Sequence, residues 1–534
     1  MKSIAAKIWR LVCDNPWVRW PGILVGSAFL FTLYLLISRM VIYNSDNASI
    51  VLEGQAMAQG NFLLHGWYMP TDSFLTIEIP LYALGLKLGF APTALLRLIP
   101  ALLYTLMVVC GGYLASMLLE RKRRVWSLLA FLGIVAFPLT MVQGFLIGPI
   151  HIGTVLQIIV GLIAYRFFLL RERGRMLAFA VVMLMVVLTT VGDPFALVLF
   201  ELPLVLAELV QMLATRKFLF QERVMIAGTL LATGLGFGIR LMLGAAGTHI
   251  LQTSGFVPTT LPGMLQNFLV AAAFTPTLFH ANIFTACAFS LNWLPLLVNA
   301  LVLLALMVAT LRWCGYSLFR VATPEAKIVN VLVWSLLALL AADITSTLGG
   351  VATRYLYPLL FLSGIVSFAL LSPMIKQKVL NIAILCVLLM NATLFVVAVC
   401  QATQATPPEA QLITLLQKHH LKAGLGSYWV APMVTVQSEG QIVVRQVTAT
   451  GYRIHPYEFL VDQHWFDASQ LSKANFIVYM DSDNNSQPYY IAAIQSFYRP
   501  KYQYHVGVYT VLVWEAPLIK HMRPGYSFWF GKSV

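Results

Sequence analysis

Runs of about 20 apolar residues recur along most of this chain, and each is long enough to cross a bilayer as a helix. They fall near 21–42, 97–119, 125–142, 154–170, 176–192, 195–213, 224–243, 288–311, 328–345, 355–373 and 379–400. Backbone N–H and C=O groups in hydrocarbon must be satisfied within the segment, so runs of this kind form helices. The pattern predicts an all-α bundle of about eleven transmembrane helices. Composition agrees: hydrophobic residues make up 59% and charged residues 10% of the 534 positions, whereas soluble domains carry about 25% charged residues. The break at Gly192-Asp193-Pro194 reads as a turn, because the runs on either side are each long enough to span alone.

Lysine and arginine set the expected orientation. Lys2, Lys7, Arg10 and Arg19 form one cluster, Arg121 to Arg124 a second, and Arg166, Arg171, Arg173 and Arg175 a third. Arg216, Lys217 and Arg223, then Arg312, Arg320 and Lys327, then Lys376 and Lys378 continue the series, while the alternate loops are nearly empty of positive charge. The positive-inside rule places this set in the cytoplasm, with the N-terminus. The expected location is the inner (plasma) membrane, and the partner implied for most of the surface is the lipid bilayer. The net charge of +14 is then mostly a topology signal. It does not argue for nucleic acid, since the basic residues sit in short separate loops. The first apolar run is too long for a cleavable signal and lacks a clear small-residue cleavage site, so it reads as a signal anchor. All six cysteines, Cys13, Cys110, Cys287, Cys314, Cys386 and Cys400, lie in or beside spans or in the N-terminal arm. The C-terminal region has none, although the compartment it is expected to face permits disulfides.

Two parts follow: a transmembrane domain over 1–400 and a small extracytoplasmic α/β domain over 401–534. Within the first, residues 43–96 form an outer loop too long for a simple connection. Its middle reads as two helices, Ala48–Gln59 and Pro80–Leu88, too short to span and expected to lie along the interface. A second outward segment covers Ala245–Ala286. In the tail, a helix is expected over Pro408–His419 and another over Tyr489–Phe497. Strands are expected at Ile442–Val447, Phe476–Tyr479 and Val506–Trp514. There is no internal repeat and no low-complexity tract.

A few polar residues break this apolar background. Asp46 sits just outside the first span, followed by Glu53, His65 and Trp67. A carboxylate at a partly dry interface has its pKa raised by desolvation, which suits a general base that takes a proton from a hydroxyl. Asp46 can equally cap the helix that starts near Ala48. Arg354 lies at the outer end of an apolar span, where a guanidinium can hold a phosphate by a bidentate contact. The competing readings are a snorkelling side chain or a pair with Asp343. Arg39 is a weaker candidate for the same role. His151, Asp193 and Asp343 are ionisable groups at the membrane and so functional hypotheses by default, each with an alternative as a cap or turn residue. His65 and Trp67 fit either a sugar site or, for Trp67, the interfacial aromatic belt. In the tail, Tyr428, Trp429, His464 and Trp465 offer aromatic faces that suit sugar rings, or else a packed core. No His, Cys and carboxylate cluster has metal spacing, and neither metal nor cofactor is expected.

The order of these features resembles the GT-C glycosyltransferases, multi-span enzymes that use polyprenyl-phosphate sugars; protein O-mannosyltransferases and the lipid A aminoarabinose transferase are members. The shared order is a span, an outer acid, a small-residue helix, an interfacial helix and a span ending in a basic cluster. Pro80-Leu81-Tyr82-Ala83-Leu84-Gly85-Leu86 is similar to the second interfacial helix of that family, and Arg354-Tyr355-Leu356-Tyr357-Pro358 to the element that opens a late span. The layout covers most of 20–370, through short motifs. The resemblance implies that Asp46 is the catalytic base of an inverting transfer on the outer face. Arg354, Tyr355, Glu53, His65, Trp67, His151 and Asp343 then become the residues expected to bind substrate. The implied partners are a polyprenyl-phosphate sugar donor and a lipid, glycan or protein acceptor. One departure stands out: many members carry a second acid in the next outer loop, and Gln143–Ile152 has no Asp or Glu. Two other readings remain open, a transporter or flippase and a non-catalytic assembly partner of an envelope glycan pathway. The first would want inverted repeats around midplane charges.

Overall fold

The computed structural model describes residues 16–148, 151–216, 219–251, 257–286, 293–320, 323–347, 349, 353–486 and 488–523. The charges of the N-terminal arm (Lys2, Lys7, Arg10), Lys217, Cys13 and Cys287 lie outside the described residues, as does the start of the expected span 288–311.

Among the described residues, ten helices are long and apolar enough to cross a membrane. They are Trp20–Met40, Pro92–Met117, Ile152–Leu170, Arg175–Gly192, Leu197–Thr215, Phe220–Ala245, Trp293–Tyr316, Pro324–Thr345, Thr353–Leu371 and Gln377–Gln401. The run expected to be a single span over 125–142 is instead a bent pair, Arg124–Ala136 and Leu139–Leu146, meeting at 66°. Pro138 has no N–H to give to the helical ladder, so the first helix stops before it and the chain restarts at a new angle. Counted as one span, the pair brings the total to eleven. The Gly192-Asp193-Pro194 break is a turn between two separate helices.

Burial sorts the helices. In Pro92–Met117, Ile152–Leu170, Pro324–Thr345 and Thr353–Leu371, 61% to 72% of the apolar window is buried. In Trp20–Met40, Phe220–Ala245, Trp293–Tyr316 and Gln377–Gln401 the share is 22%. These outer helices present Leu24, Leu231, Leu241, Leu304 and Leu389 to the surroundings, an arrangement that suits lipid as solvent and would be costly in water. The segment read as an outward loop, Ala245–Ala286, contains the helix Leu261–Leu278, started by Thr260, whose hydroxyl accepts from the Gly263 N–H at 3.3 Å.

The first loop folds into Ser45–Ala58 and Glu78–Lys87. The two helices pack against each other. Gly54 lets them touch, since a Cβ there would sit 2.7 Å from the Cβ of Tyr82. Residues 47–54 are buried throughout, partly under the helix Ala431–Gln437 from the tail.

The tail builds a mixed six-stranded sheet in the order Arg453–Pro456, Val443–Thr450, Ala423–Ser427, Phe476–Met480, Tyr509–Val513, Tyr502–Val506. The middle three strands are parallel and both flanks antiparallel. The expected helix at Tyr489–Phe497 is present, and the strand expected at Val506–Trp514 is observed as Tyr509–Val513, joined as a hairpin to Tyr502–Val506. A second, small sheet ties the tail to the bundle. Trp67–Met69 of the first loop pairs in parallel with His249–Ile250 and antiparallel with Val461–Asp462. Met433 and Val436 join the hydrophobic core of the bundle, and the Thr93 hydroxyl donates to Glu439 at 3.1 Å.

Candidate functional site

The chain enters the helix Ser45–Ala58 through a capping box. Asn44 Oδ1 accepts from the Asn47 N–H at 3.3 Å, and Asn47 Oδ1 accepts from the Asn44 N–H at 2.9 Å. Asn44 is therefore the cap, and Asp46, in the first turn, is released from that task. The Asn47 amide also donates to the carbonyl of Ile147, which fixes the helix start against the bent pair. Asp46 Oδ2 accepts from Arg354 Nη1 at 3.2 Å, a contact between residues far apart in the chain. Its other oxygen, Oδ1, accepts from the hydroxyl of Tyr428 in the tail. The sequence leaves lipid snorkelling and pairing with Asp343 open for Arg354; in the fold the guanidinium pairs with Asp46 and lies 5.7 Å from the Tyr355 ring centre. Asp46 and Arg354 line a cavity of about 330 Å³ with Asn44, Asn47, Ile147, Phe274, Thr353 and Tyr357. Burial pushes the Tyr428 phenol well above its ordinary range, and the Asp46 charge adds to the effect. Its hydroxyl therefore keeps its proton and acts as a donor to the carboxylate.

A second polar cluster sits behind Arg354. His151 Nδ1 lies 2.5 Å from Asp193 Oδ2, with both side chains buried. Thr154 donates to the same oxygen at 2.6 Å, and the Phe195 N–H donates to Oδ1 at 3.1 Å, so Asp193 is both turn residue and buried partner. Burial opposes both charges, but their mutual attraction outweighs it: His151 is shifted up and Asp193 down. The His151 ring rests 4.6 Å from Phe195 and 5.2 Å from Tyr355, and so backs the segment that carries Arg354. Arg240 closes the cluster by donating to the carbonyls of Val191 and Thr71, both at 2.9 Å.

Three more carboxyl groups pack around it. Burial raises Asp72 to about 6, partly offset by the His151 charge. Burial raises Glu78 to about 8, although its Oε1 accepts from the Gly153 N–H at 2.9 Å. Burial holds Glu53 well above the carboxylate range, with Asp72 adding repulsion, and neither of its oxygens has a hydrogen-bond partner. Buried carboxyls shifted upward are neutral at low pH and costly once ionised. The consequence for Glu78 has a definite sign. The folded protein holds that proton until about pH 8, whereas the unfolded chain releases it near 4.5. The folded state therefore binds more protons across this window, and its stability falls as pH rises through it. Asp72 and His151 act in the same direction. Holding a proton through one further pH unit corresponds to about 1.4 kcal/mol. The melting temperature in detergent is expected to drop between pH 5 and pH 8, by on the order of several degrees. Glu78→Gln, whose amide oxygen still accepts from Gly153, is expected to flatten part of that slope, with Glu53, Asp72 and His151 supplying the rest; an unchanged slope would take Glu78 out of the titrating set.

The structure brings Asp46, Arg354 and Tyr355 together, with His151 behind Tyr355 and Glu53 buried in the same helix as Asp46. It places the other three elsewhere. Asp343 lies at the far end of its own helix, where Asn267 Nδ2 donates to the carbonyls of Asp343, Ile344 and Ser346 at 3.4, 3.1 and 2.8 Å. Its carboxyl does not line the cavity. Trp67 is 1% exposed, edge-on to Trp465 at 5.1 Å, so it is core beneath the tail and not part of an aromatic belt. His65 stacks on His464 at 6.0 Å, also off the cavity. The Arg39 side chain is exposed and does not line the cavity; its carbonyl accepts from the Ala405 N–H at 2.8 Å. Sequence reasoning passes over Asp72, Glu78 and Arg240, and it gives Tyr428 no contact with Asp46. Among the described residues no group of three or more His, Cys, Asp or Glu could hold a metal ion.

No protein-family model matches the chain, and no curated protein matches it.

Proposed function

We propose that the chain is a membrane glycosyltransferase of GT-C type, which moves a sugar from a polyprenyl-phosphate donor to an acceptor hydroxyl on the outer face of the membrane with inversion. The observation that carries this reading is the meeting of Asp46 and Arg354 at 3.2 Å on the wall of one cavity, Asp46 just beyond the end of one span and Arg354 in the first turn of another. The pair combines the two functions that such a transfer needs. Asp46 takes the proton of the acceptor O–H, and the acceptor oxygen forms a new bond to the anomeric carbon. The bond from that carbon to the phosphate oxygen breaks, its electron pair leaves with polyprenyl phosphate, and the Arg354 guanidinium neutralises the charge that develops there. Five N–H donors in a planar fork allow Arg354 to hold a phosphate while its Nη1 still faces Asp46. Tyr355 and the His151–Asp193 pair behind it fix the guanidinium's position. The partly apolar wall of Ile147, Phe274 and Tyr357 suits the first units of a lipid chain.

Deletion of the gene followed by lipid analysis tests the reading. The expected result is accumulation of one polyprenyl-phosphate sugar together with loss of one sugar from the surface glycans. Unchanged pools of both would overturn it.

A further inference from the structure

The two oxygens of Asp46 face different surroundings. Oδ2 turns to Arg354 and the cavity, while Oδ1 accepts from the Tyr428 hydroxyl. Behind Tyr428 stands a cluster of aromatic rings contributed entirely by the tail. Tyr428 lies 5.0 Å from Trp429, 5.3 Å from Tyr457 and 5.5 Å from Phe459, and the last two are 5.9 Å apart. Trp429 is 50% exposed, and Tyr457 and Phe459 are only partly buried. A phenolic O–H thus donates to Oδ1 in the position that an acceptor O–H would need in order to give its proton to that oxygen, and these rings surround it.

We infer that this cluster of Tyr428, Trp429, Tyr457 and Phe459 is the acceptor subsite and that the acceptor is a carbohydrate. The assignment rests on the transferase reading for its role in the reaction. The ring chemistry selects the acceptor class. An aromatic face is negative at its centre, and the C–H face of a pyranose is weakly positive, so the two stack while the sugar hydroxyls remain free at the rim. A pyranose hydroxyl that displaces the Tyr428 hydroxyl keeps its ring against Tyr457 or Trp429. A serine or threonine side chain brings a hydroxyl but no face to stack. Tyr428 is then a positioning residue: it holds Oδ1 in line until the acceptor arrives.

Saturation-transfer NMR on the full chain in lipid nanodiscs tests this, with the methyl pyranosides of glucose, galactose and mannose as probes and a serine- and threonine-containing peptide as a separate arm. Ring protons of at least one pyranoside are expected to receive saturation. In Trp429→Ala and Tyr457→Leu the affinity is expected to fall about fivefold, the factor carried by one aromatic contact, with Trp429→Phe recovering it. Size-exclusion profiles show that the variants compared are folded. Saturation of the peptide and of no pyranoside, or equal pyranoside affinity in folded Trp429→Ala and Tyr457→Leu, would overturn the subsite. Asp46→Asn separates the two proposals, because pyranoside contact persists in it whether or not transfer does. Full transfer by that variant removes the base and leaves the subsite, whereas lost transfer without any pyranoside contact removes the subsite alone.

Discussion

Asp46→Asn is expected to lower sugar transfer by about 10²- to 10⁴-fold, the usual contribution of a positioned general base, while leaving the amount of folded protein unchanged. The two effects separate because of how the site is built. Asn44 and Asn47 cap the helix Ser45–Ala58 without help from Asp46, so the amide does not disturb the helix start. The new side chain has nearly the same shape, and its oxygen still accepts from Tyr428. Its ion pair with Arg354 is lost, but with the Arg354 side chain 48% and the Asp46 side chain 18% exposed, solvent reaches the pair and holds its contribution to about 1 kcal/mol. On the proposed transferase reading, what disappears is the capacity to accept a proton from the acceptor. Transfer measured in proteoliposomes, with donor in excess, reads this directly, and undiminished turnover in a folded Asn variant would remove Asp46 from the mechanism. Arg354→Lys is a useful companion, because a compact ammonium keeps the charge but cannot reproduce the planar fork. A fall in rate with that substitution would point to phosphate geometry over charge alone.

The bundle is legible in the sequence because hydrocarbon imposes a strong rule, continuous apolar runs of fixed length. That rule also marks the turn at Gly192-Asp193-Pro194. It fails at 125–142, where apolar character continues through Pro138 although the helix does not. Hydropathy is blind to a missing N–H; the proline is the signal to heed. The helix Leu261–Leu278 escapes the rule because Pro262, Gln266, Asn267 and Pro276 dilute its apolar run. In the tail, the central strand Ala423–Ser427 has no β-branched residue. Gly424 is there because Phe476 lies across it, where a Cβ would sit 2.5 Å from the ring, and strand propensity cannot register a partner that lies about 50 positions away along the chain.

For the site, Asp46 and Arg354 are visible as isolated charges in an apolar setting, but their pairing is not. Nothing in the spacing favours Asp46 over the nearer Asp343 as the partner of Arg354; the choice follows from where Ser45–Ala58 is packed. Tyr428 is one aromatic residue among many until the docking of Ala431–Gln437 carries it to Asp46. Trp67 shows the converse, since an aromatic residue near a span end looks like a belt residue until a tail covers it. Asp72 and Glu78 can be found by asking why one acid precedes a short apolar helix and another opens it, a question that applies to buried carboxyls in general.

Lys327→Met is expected to destabilise the folded chain by about 3–5 kcal/mol, the cost of stripping one partner from a buried ion cluster. In the sequence Lys327 counts as one more topology charge. In the fold its Nζ stands 3.1 Å from Glu208 and 3.1 Å from Glu222, both 1% exposed in their side chains. Tyr165 also donates to Glu208. Four helices, Ile152–Leu170, Leu202–Thr215, Phe220–Ala245 and Pro324–Thr345, thus meet at a single ammonium. Without it two carboxylates face each other in an apolar bundle, and Glu222 Oε2 already has no partner. Total stabilities run to about 5–15 kcal/mol, so much of the margin would go, read as loss of the monodisperse peak in gel filtration and a lower melting temperature. Adding Glu208→Gln and Glu222→Gln to Lys327→Met removes both stranded charges and is expected to restore most of the folded yield. Failure of that rescue would mean that the lysine acts through packing and not through charge. The lesion is also remote from the site. Tyr165 lies 14 residues beyond His151, the cap that precedes the same helix, or roughly 20 Å at the rise of an α-helix. Whatever folded Lys327→Met protein remains should therefore transfer sugar at the wild-type rate per molecule. That is the opposite of Asp46→Asn, where yield holds and rate falls, and measuring yield and rate for both variants distinguishes residues that hold the bundle from those that serve the cavity.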